Sequence, residues 1–140
     1  MKQNVLITLR GEQKYEQQDP ETIELVSEGT LEQTETGWEL RYEESDLTGM
    51  AGATTVFRFE PGRITLIREG SLNSEMVFEE GNFNESLYQM DFGALMITVC
   101  ASKVQYDITE QGGTMDLTYA IEVEQSAAGL IDYHMDIQVK

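Results

Sequence analysis

The stretch TMDLTYAIEVE, residues 114–124, puts Met115, Leu117, Tyr119, Ile121 and Val123 on one parity. Asp116, Thr118, Glu122 and Glu124 take the other parity, with Ala120 between them. Successive side chains of an extended strand point to opposite faces, so this alternation describes a strand with one apolar and one polar side. Strands of that kind occur half-buried in antiparallel sheets.

The same pattern spreads outward from there. LIDYHMDIQVK, 130–140, sets Ile131, Tyr133, Met135, Ile137 and Val139 against Asp132, His134, Asp136 and Gln138. The short SAAG between the two runs, ending in Gly129, reads as a hairpin loop. Upstream, ALMITVCASKVQYDITE, 94–110, changes phase near Ser102–Lys103. Leu95, Ile97, Val99 and Ala101 share one parity, and Val104, Tyr106 and Ile108 share the other. A β-bulge there would reset the register. Gly112–Gly113 is expected to turn the chain into the next strand.

The first half repeats the theme. Val5, Ile7 and Leu9 alternate, as do Trp38, Leu40 and Tyr42, and Phe57 and Phe59. Pro61–Gly62 between TTVFRFE and RITLIRE is a turn signal. MVF, 76–78, and the weaker NESLYQMDFG, 84–93, add further runs. In DPETIELVSEG, 19–29, Asp19, Pro20 and Gly29 could frame a short helix, but Ile23 and Leu25 alternate with Glu24. A strand with an irregularity near Ser27–Gly29 is expected.

Some nine or ten strand-like runs at even spacing, joined by short connections, point to an all-β chain. The expected architecture is one domain over residues 1–140, a closed or nearly closed antiparallel up-and-down barrel of about 8–10 strands. Closure hides the apolar faces and removes sheet edges. A barrel of about eight strands is either filled by its own side chains or holds one small ligand.

The middle of the chain, WELRYEES, TTVFRFEPGRITLIREG, MVFEEG and YQMDFGALMITV, resembles the YwiB-like family of small bacterial proteins of unknown function. The resemblance rests on Tyr42–Glu43, on Arg68–Glu69–Gly70, and on Tyr88 followed by Phe92–Gly93. Family members often carry Thr-Pro where this chain has Met90–Asp91. The resemblance implies a lipocalin-like (calycin-like) β-barrel and no reaction.

The formal net charge is −17, from 9 basic and 26 acidic residues. Nucleic-acid binding replaces counterions with lysine and arginine, and no basic cluster is present, so no nucleic-acid partner is expected. An anionic membrane surface is disfavoured for the same reason. An acidic outer surface serves solubility; a basic protein partner is the sharper reading. One cysteine, Cys100, excludes an internal disulfide. MKQNVLITLRGEQ has no signal-peptide core, so a cytoplasmic location is expected.

Catalytic machinery is hard to find. The single histidine, His134, lies on a polar parity and is expected to face solvent. One histidine and one cysteine cannot build a structural zinc site. No P-loop, GxGxxG turn or EF-hand occurs. No cofactor, metal or enzymatic activity is expected. GMAG, 49–52, reads as a loop at the barrel mouth.

Arg68 raises the one pointed question. If Ile64 and Leu66 face inward, so does Arg68, and a buried guanidinium needs partners. Glu44 and the hydroxyls of Tyr42 and Tyr88 are the candidates. Three readings stand: a structural pair at the rim, an anion anchor at a ligand cavity, or a surface arginine with Ile67 inward. Trp38, Tyr42, Phe57, Phe59, Tyr119 and Tyr133 either fill the interior or line a pocket at one end. Arg68, Tyr42, Glu44, Tyr88 and Trp38 are therefore the ligand-binding candidates, for a small and largely apolar ligand. The alternative is a structural or protein-interaction module with a packed interior and acidic surface, homodimeric association included.

Overall fold

A computed structural model describes residues 2–14, 19–44, 52–70, 73–90, 93–124 and 126–140, without the side chains of 88, 90 and 126–128. Among these residues ten strands form one antiparallel sheet: β1 (Lys2–Lys14), β2 (Glu21–Gln33), β3 (Trp38–Glu43), β4 (Ala53–Glu60), β5 (Arg63–Gly70), β6 (Ser74–Phe78), β7 (Phe83–Met90), β8 (Gly93–Thr109), β9 (Gly112–Val123) and β10 (Ser126–Val139). Their order is β6-β5-β4-β3-β2-β1-β10-β9-β8-β7. Every sequential pair except β6–β7 forms a ladder, and β1 pairs along its length with β10, from Val5 opposite Val139 to Lys14 opposite Leu130. No helix among the described residues is long and apolar enough to cross a membrane.

The alternation sets the inner face. Val5, Ile7, Leu31, Leu40, Phe57, Phe59, Ile64, Leu66, Phe78, Met115, Leu117 and Met135 are fully buried and belong to one cluster. Each such side chain contributes about 1.5–3 kcal/mol of burial free energy. The aromatic residues fill the middle of the barrel. Tyr42, Phe57 and Phe59 stack in sequence at 6.5 and 6.2 Å, and Phe59 meets Tyr106 at 5.3 Å. From another side Phe78, Tyr119 and Tyr133 are linked at 4.5 and 6.1 Å.

The bulge expected near Ser102–Lys103 is present as a register shift between Ala101 and Lys103. The Pro61–Gly62 turn joins Glu60 to Arg63 across β4–β5. Three local expectations are corrected. β2 runs from Glu21 to Glu32 in unbroken register with β1, with no irregularity near Ser27–Gly29. Gly29 is there for close approach: a side chain would land on the Arg41 carbonyl oxygen and crowd Tyr42. SAAG is not the β9–β10 loop; the chain reverses earlier, at Glu124 (φ 52°), and Gly129 marks a register shift within β10. Gly112 and Gly113 open β9, so the reversal falls at Glu110–Gln111. Of GMAG, residues 49–51 lie outside the described residues.

Closure is incomplete between β6 and β7. Asn73 and Gln89 exchange backbone hydrogen bonds at 3.0 and 2.8 Å. Within the β6–β7 connection, Gly81 donates to the Ala101 carbonyl at 2.9 Å, beside a parallel bridge of Glu80 with Ala101. Between these two points no ladder joins β6 to β7 among the described residues. Hydrogen-bonding direction alternates along a strand. Since Asn73 and Gln89 point into the seam, so do Glu75, Val77, Glu85 and Leu87. Their amides are expected to exchange with solvent deuterium at least about a hundredfold faster than those of the β1–β10 ladder, a gap of about 3 kcal/mol in opening free energy. Uniform protection in an NMR exchange series would contradict this.

Candidate functional site

Strand pairing brings one polar row together on the inner face. Tyr42 in β3 lies opposite Thr55 in β4, Thr55 opposite Arg68 in β5, and Arg68 opposite Ser74 in β6. Neighbouring strands lie about 4.8 Å apart, so the row spans three such steps. Glu44 extends it: its amide donates to the Ala53 carbonyl at 2.9 Å, continuing the β3–β4 ladder. Its side chain is buried, and Oε1 accepts a hydrogen bond from Thr55 Oγ1 at 3.0 Å.

Ile64 and Leu66 are fully buried, so Arg68 shares the inward parity and Ile67 the outward one. The reading with Ile67 inward is thereby set aside. Arg68 is half-buried, and among the described residues its Nε is enclosed without a hydrogen-bond partner, as is the Oγ of Ser74 across from it. Glu44 is engaged by Thr55 and by the Tyr42 hydroxyl. Of the partners expected for Arg68, Tyr42 feels its charge; the Tyr88 side chain lies outside the described residues, although its backbone sits in β7 opposite Leu95. Trp38 starts β3 and Tyr42 nearly ends it, so Trp38 belongs to the opposite end of the barrel, beside surface cavities of about 380 and 210 Å³. Ser74 and Thr55 were not among the sequence candidates. Their signal, the pairing register of β5 with β4 and β6, is not written in either strand alone.

Tyr42 is the most strongly perturbed of these groups. Burial drives its hydroxyl pKa well above that of an ordinary phenol; the Glu44 carboxylate adds to the rise and Arg68 opposes it. In the unfolded chain a tyrosine ionises near pH 10. The folded form holds its proton longer, so the stability from the neutral hydroxyl is intact below about pH 10 and declines as pH rises through and beyond it. Tyr42→Phe is expected to reduce that alkaline decline. It should also cost about 1–3 kcal/mol near neutrality, because buried Glu44 loses a donor. Urea titrations between neutral and alkaline pH check both effects.

The row sits at the end of the barrel where β3 finishes and β4 begins. There the apolar lining is less enclosed than in the middle. Leu95, Ile121 and Val123 are half-buried and Ile23 is 40% exposed, all on inward parities. This end therefore has one polar wall, from β3 to β6, and one apolar wall, from β2, β8 and β9. His134 is elsewhere, on the outer face of β10. It contacts Asp116 at 2.8 Å and Asp136 at 3.4 Å, and the Asp116 hydrogen bond raises its pKa. Among the described residues no group of three or more His, Cys, Asp or Glu side chains could hold a metal ion.

Comparison with known proteins fits this architecture. A family model described as "Domain of unknown function (DUF1934)" matches residues 7–137. The uncharacterized beta-barrel protein YwiB of Bacillus subtilis (strain 168) is 27% identical over 82 residues. That alignment takes in 59% of this chain and 56% of the relative, so it spans little more than half of the relative's length. The crystal structure of the ywiB protein from Bacillus subtilis superposes with a TM-score of 0.89 at 18% identity, covering 99% of this chain and 93% of that one. At that identity the likeness concerns the fold. The sequence resemblance to the YwiB-like family and the nearly closed ten-stranded antiparallel barrel are both upheld.

Proposed function

This chain belongs to the family of a domain of unknown function (DUF1934), and on that premise we propose that its barrel binds a small, largely apolar molecule carrying a carboxylate or similar acceptor head. The observation that carries the reading is that Arg68 Nε and Ser74 Oγ, on residues paired across β5–β6, are both enclosed and without a hydrogen-bond partner among the described residues. Buried polar groups are normally hydrogen-bonded, and an unmet donor costs about 1–3 kcal/mol. A guanidinium is suited to an acceptor with two oxygens. The head would meet Arg68 and Ser74, and the tail would lie along Ile23, Leu95, Ile121 and Val123. The packed middle of the barrel leaves the tail at that end rather than deep inside, which favours a short chain.

Thermal-shift and calorimetric titrations with octanoate and octanol provide the test. Octanoate is expected to stabilise the protein and octanol to act much more weakly. Arg68→Met keeps most of the side-chain volume and removes the donors. It is expected to weaken octanoate binding by about 10- to 100-fold, the equivalent of a charged hydrogen bond at about 1.5–3 kcal/mol. No response in the unsubstituted protein, or an equal response in Arg68→Met, would refute the reading. A second reading, a structural or interaction module, is favoured by the aromatic residues that fill the middle of the barrel. In that case Arg68→Met lowers stability and no carboxylate changes it.

A further inference from the structure

The geometry points to a docking site for a polypeptide at the other end of the barrel: we propose that the bare half-edge of β8, Val104–Ile108, takes up an extended, lysine- or arginine-bearing segment of a partner protein as an additional strand. β8 is 17 residues long, but β7 covers only Gly93–Cys100 of its edge. Below the bulge at Ala101/Lys103, β8 continues to Thr109 with β9 on one side and, among the described residues, no ladder on the other. The two-residue turn at Glu110–Gln111 makes Thr109–Gly112 the closing pair, so Asp107 and Gln105 bond toward β9 while Ile108, Tyr106 and Val104 point outward to the free edge.

A carboxylate already marks where the missing strand would lie. Glu80 Oε1 accepts from the Val104 amide at 2.9 Å, as the carbonyl of a neighbouring strand would. Tyr106 and Ile108 have no backbone partner on that side among the described residues. Side chains suit an incoming strand as well. Val104 and Tyr106 are half-buried, and Phe83, 71% exposed, stands where β7 begins.

Charge selects the occupant. Segments 79–82 and 103–110 carry Glu79, Glu80, Asp107 and Glu110 against Lys103, and Glu60, which acts on Tyr106 from the β4–β5 turn, is paired with Arg63 at 3.5 Å. An exposed edge invites pairing, and charge is the usual protection against it. Here the charge is of one sign. It repels a second copy of this chain, whose net charge is −17, and it attracts a cationic strand. Strand addition of this type draws affinity from main-chain hydrogen bonds, with alternate side chains giving preference.

The test uses the full chain, isotope-labelled, titrated with a decapeptide alternating lysine and valine at low salt. Saturable amide shifts centred on Val104, Tyr106 and Ile108 are expected, with slowed exchange at Tyr106 and Ile108. Added strands use only alternate amides, so N-methylation of every lysine and of every valine should differ in effect. One series is expected to weaken binding at least about tenfold and the other to leave it nearly intact. Several results overturn the proposal: absence of saturable shifts, shifts confined to other strands, equal effects of the two methylated series, equal binding of a glutamate–valine decapeptide, or concentration-dependent shifts at this edge without peptide. The last would mean that a second copy is the occupant.

Discussion

Phe59→Ala is expected to lower the free energy of unfolding by about 3–5 kcal/mol, read as a fall in the guanidinium midpoint at unchanged slope. Phe59 is fully buried, stacks on Phe57 at 6.2 Å and reaches Tyr106 at 5.3 Å. It therefore links β4 to the lower half of β8, where no backbone ladder does so. Truncation removes the ring's transfer free energy and leaves a void between groups held apart by the sheet, so little collapse is available to offset the loss. Domains of this size have about 5–15 kcal/mol to lose, so the variant is expected to be marginal at physiological temperature. Phe83→Ala provides the contrast. Its ring is 71% exposed, and truncation should change stability by no more than about 0.5 kcal/mol. Equal effects at the two positions would contradict the assignment of Phe59 to the core.

Gly112→Ala is expected to be comparably damaging, at about 3 kcal/mol or more. Gly112 has φ 103°, a region L side chains rarely adopt, which alone costs of order 1–3 kcal/mol. Its pairing with Gln138 also brings β10 so close that a methyl group would land on the Ile137 carbonyl oxygen. Relief requires moving a strand. Gly62→Ala isolates the backbone part: φ is 72° in the β4–β5 turn, with nothing near the added carbon. It should cost about 1 kcal/mol. Thermal melts of the two variants side by side check the difference.

The legibility of the molecule followed the range of the forces involved. Met115–Val123 and Ile131–Val139 could be read as strands because alternation is local. Pro61–Gly62 could be read as a turn for the same reason. The phase change at Ser102–Lys103 gave the bulge, since a bulge is a local change of parity. Gly29 misled because glycine marks both breaks and close approaches, and only the position of Arg41 and Tyr42 across β2–β3 distinguishes them. Tyr42, Glu44 and Arg68 were legible as polar groups on inward parities. Ser74 and Thr55, and the displacement of Trp38 to the far end, required the register between strands. That register is set by hairpin geometry over many residues. The seam between β6 and β7 left no mark in either strand.

The strand order also divides the wall into two runs of nearest-neighbour hairpins, β1 to β6 and β7 to β10. Inside each run every ladder is between strands adjacent in the chain, and such pairings form quickly. The join at Val5–Val139 is of another kind, because its two strands lie far apart in the sequence and a long loop must close to bring them together. Assembly is thus expected to proceed as two preformed ribbons meeting along β1 and β10, with that encounter as the slow step. A nascent chain would hold a six-stranded ribbon with its β1 border bare until β10 arrived, the interval in which it is most exposed to aggregation.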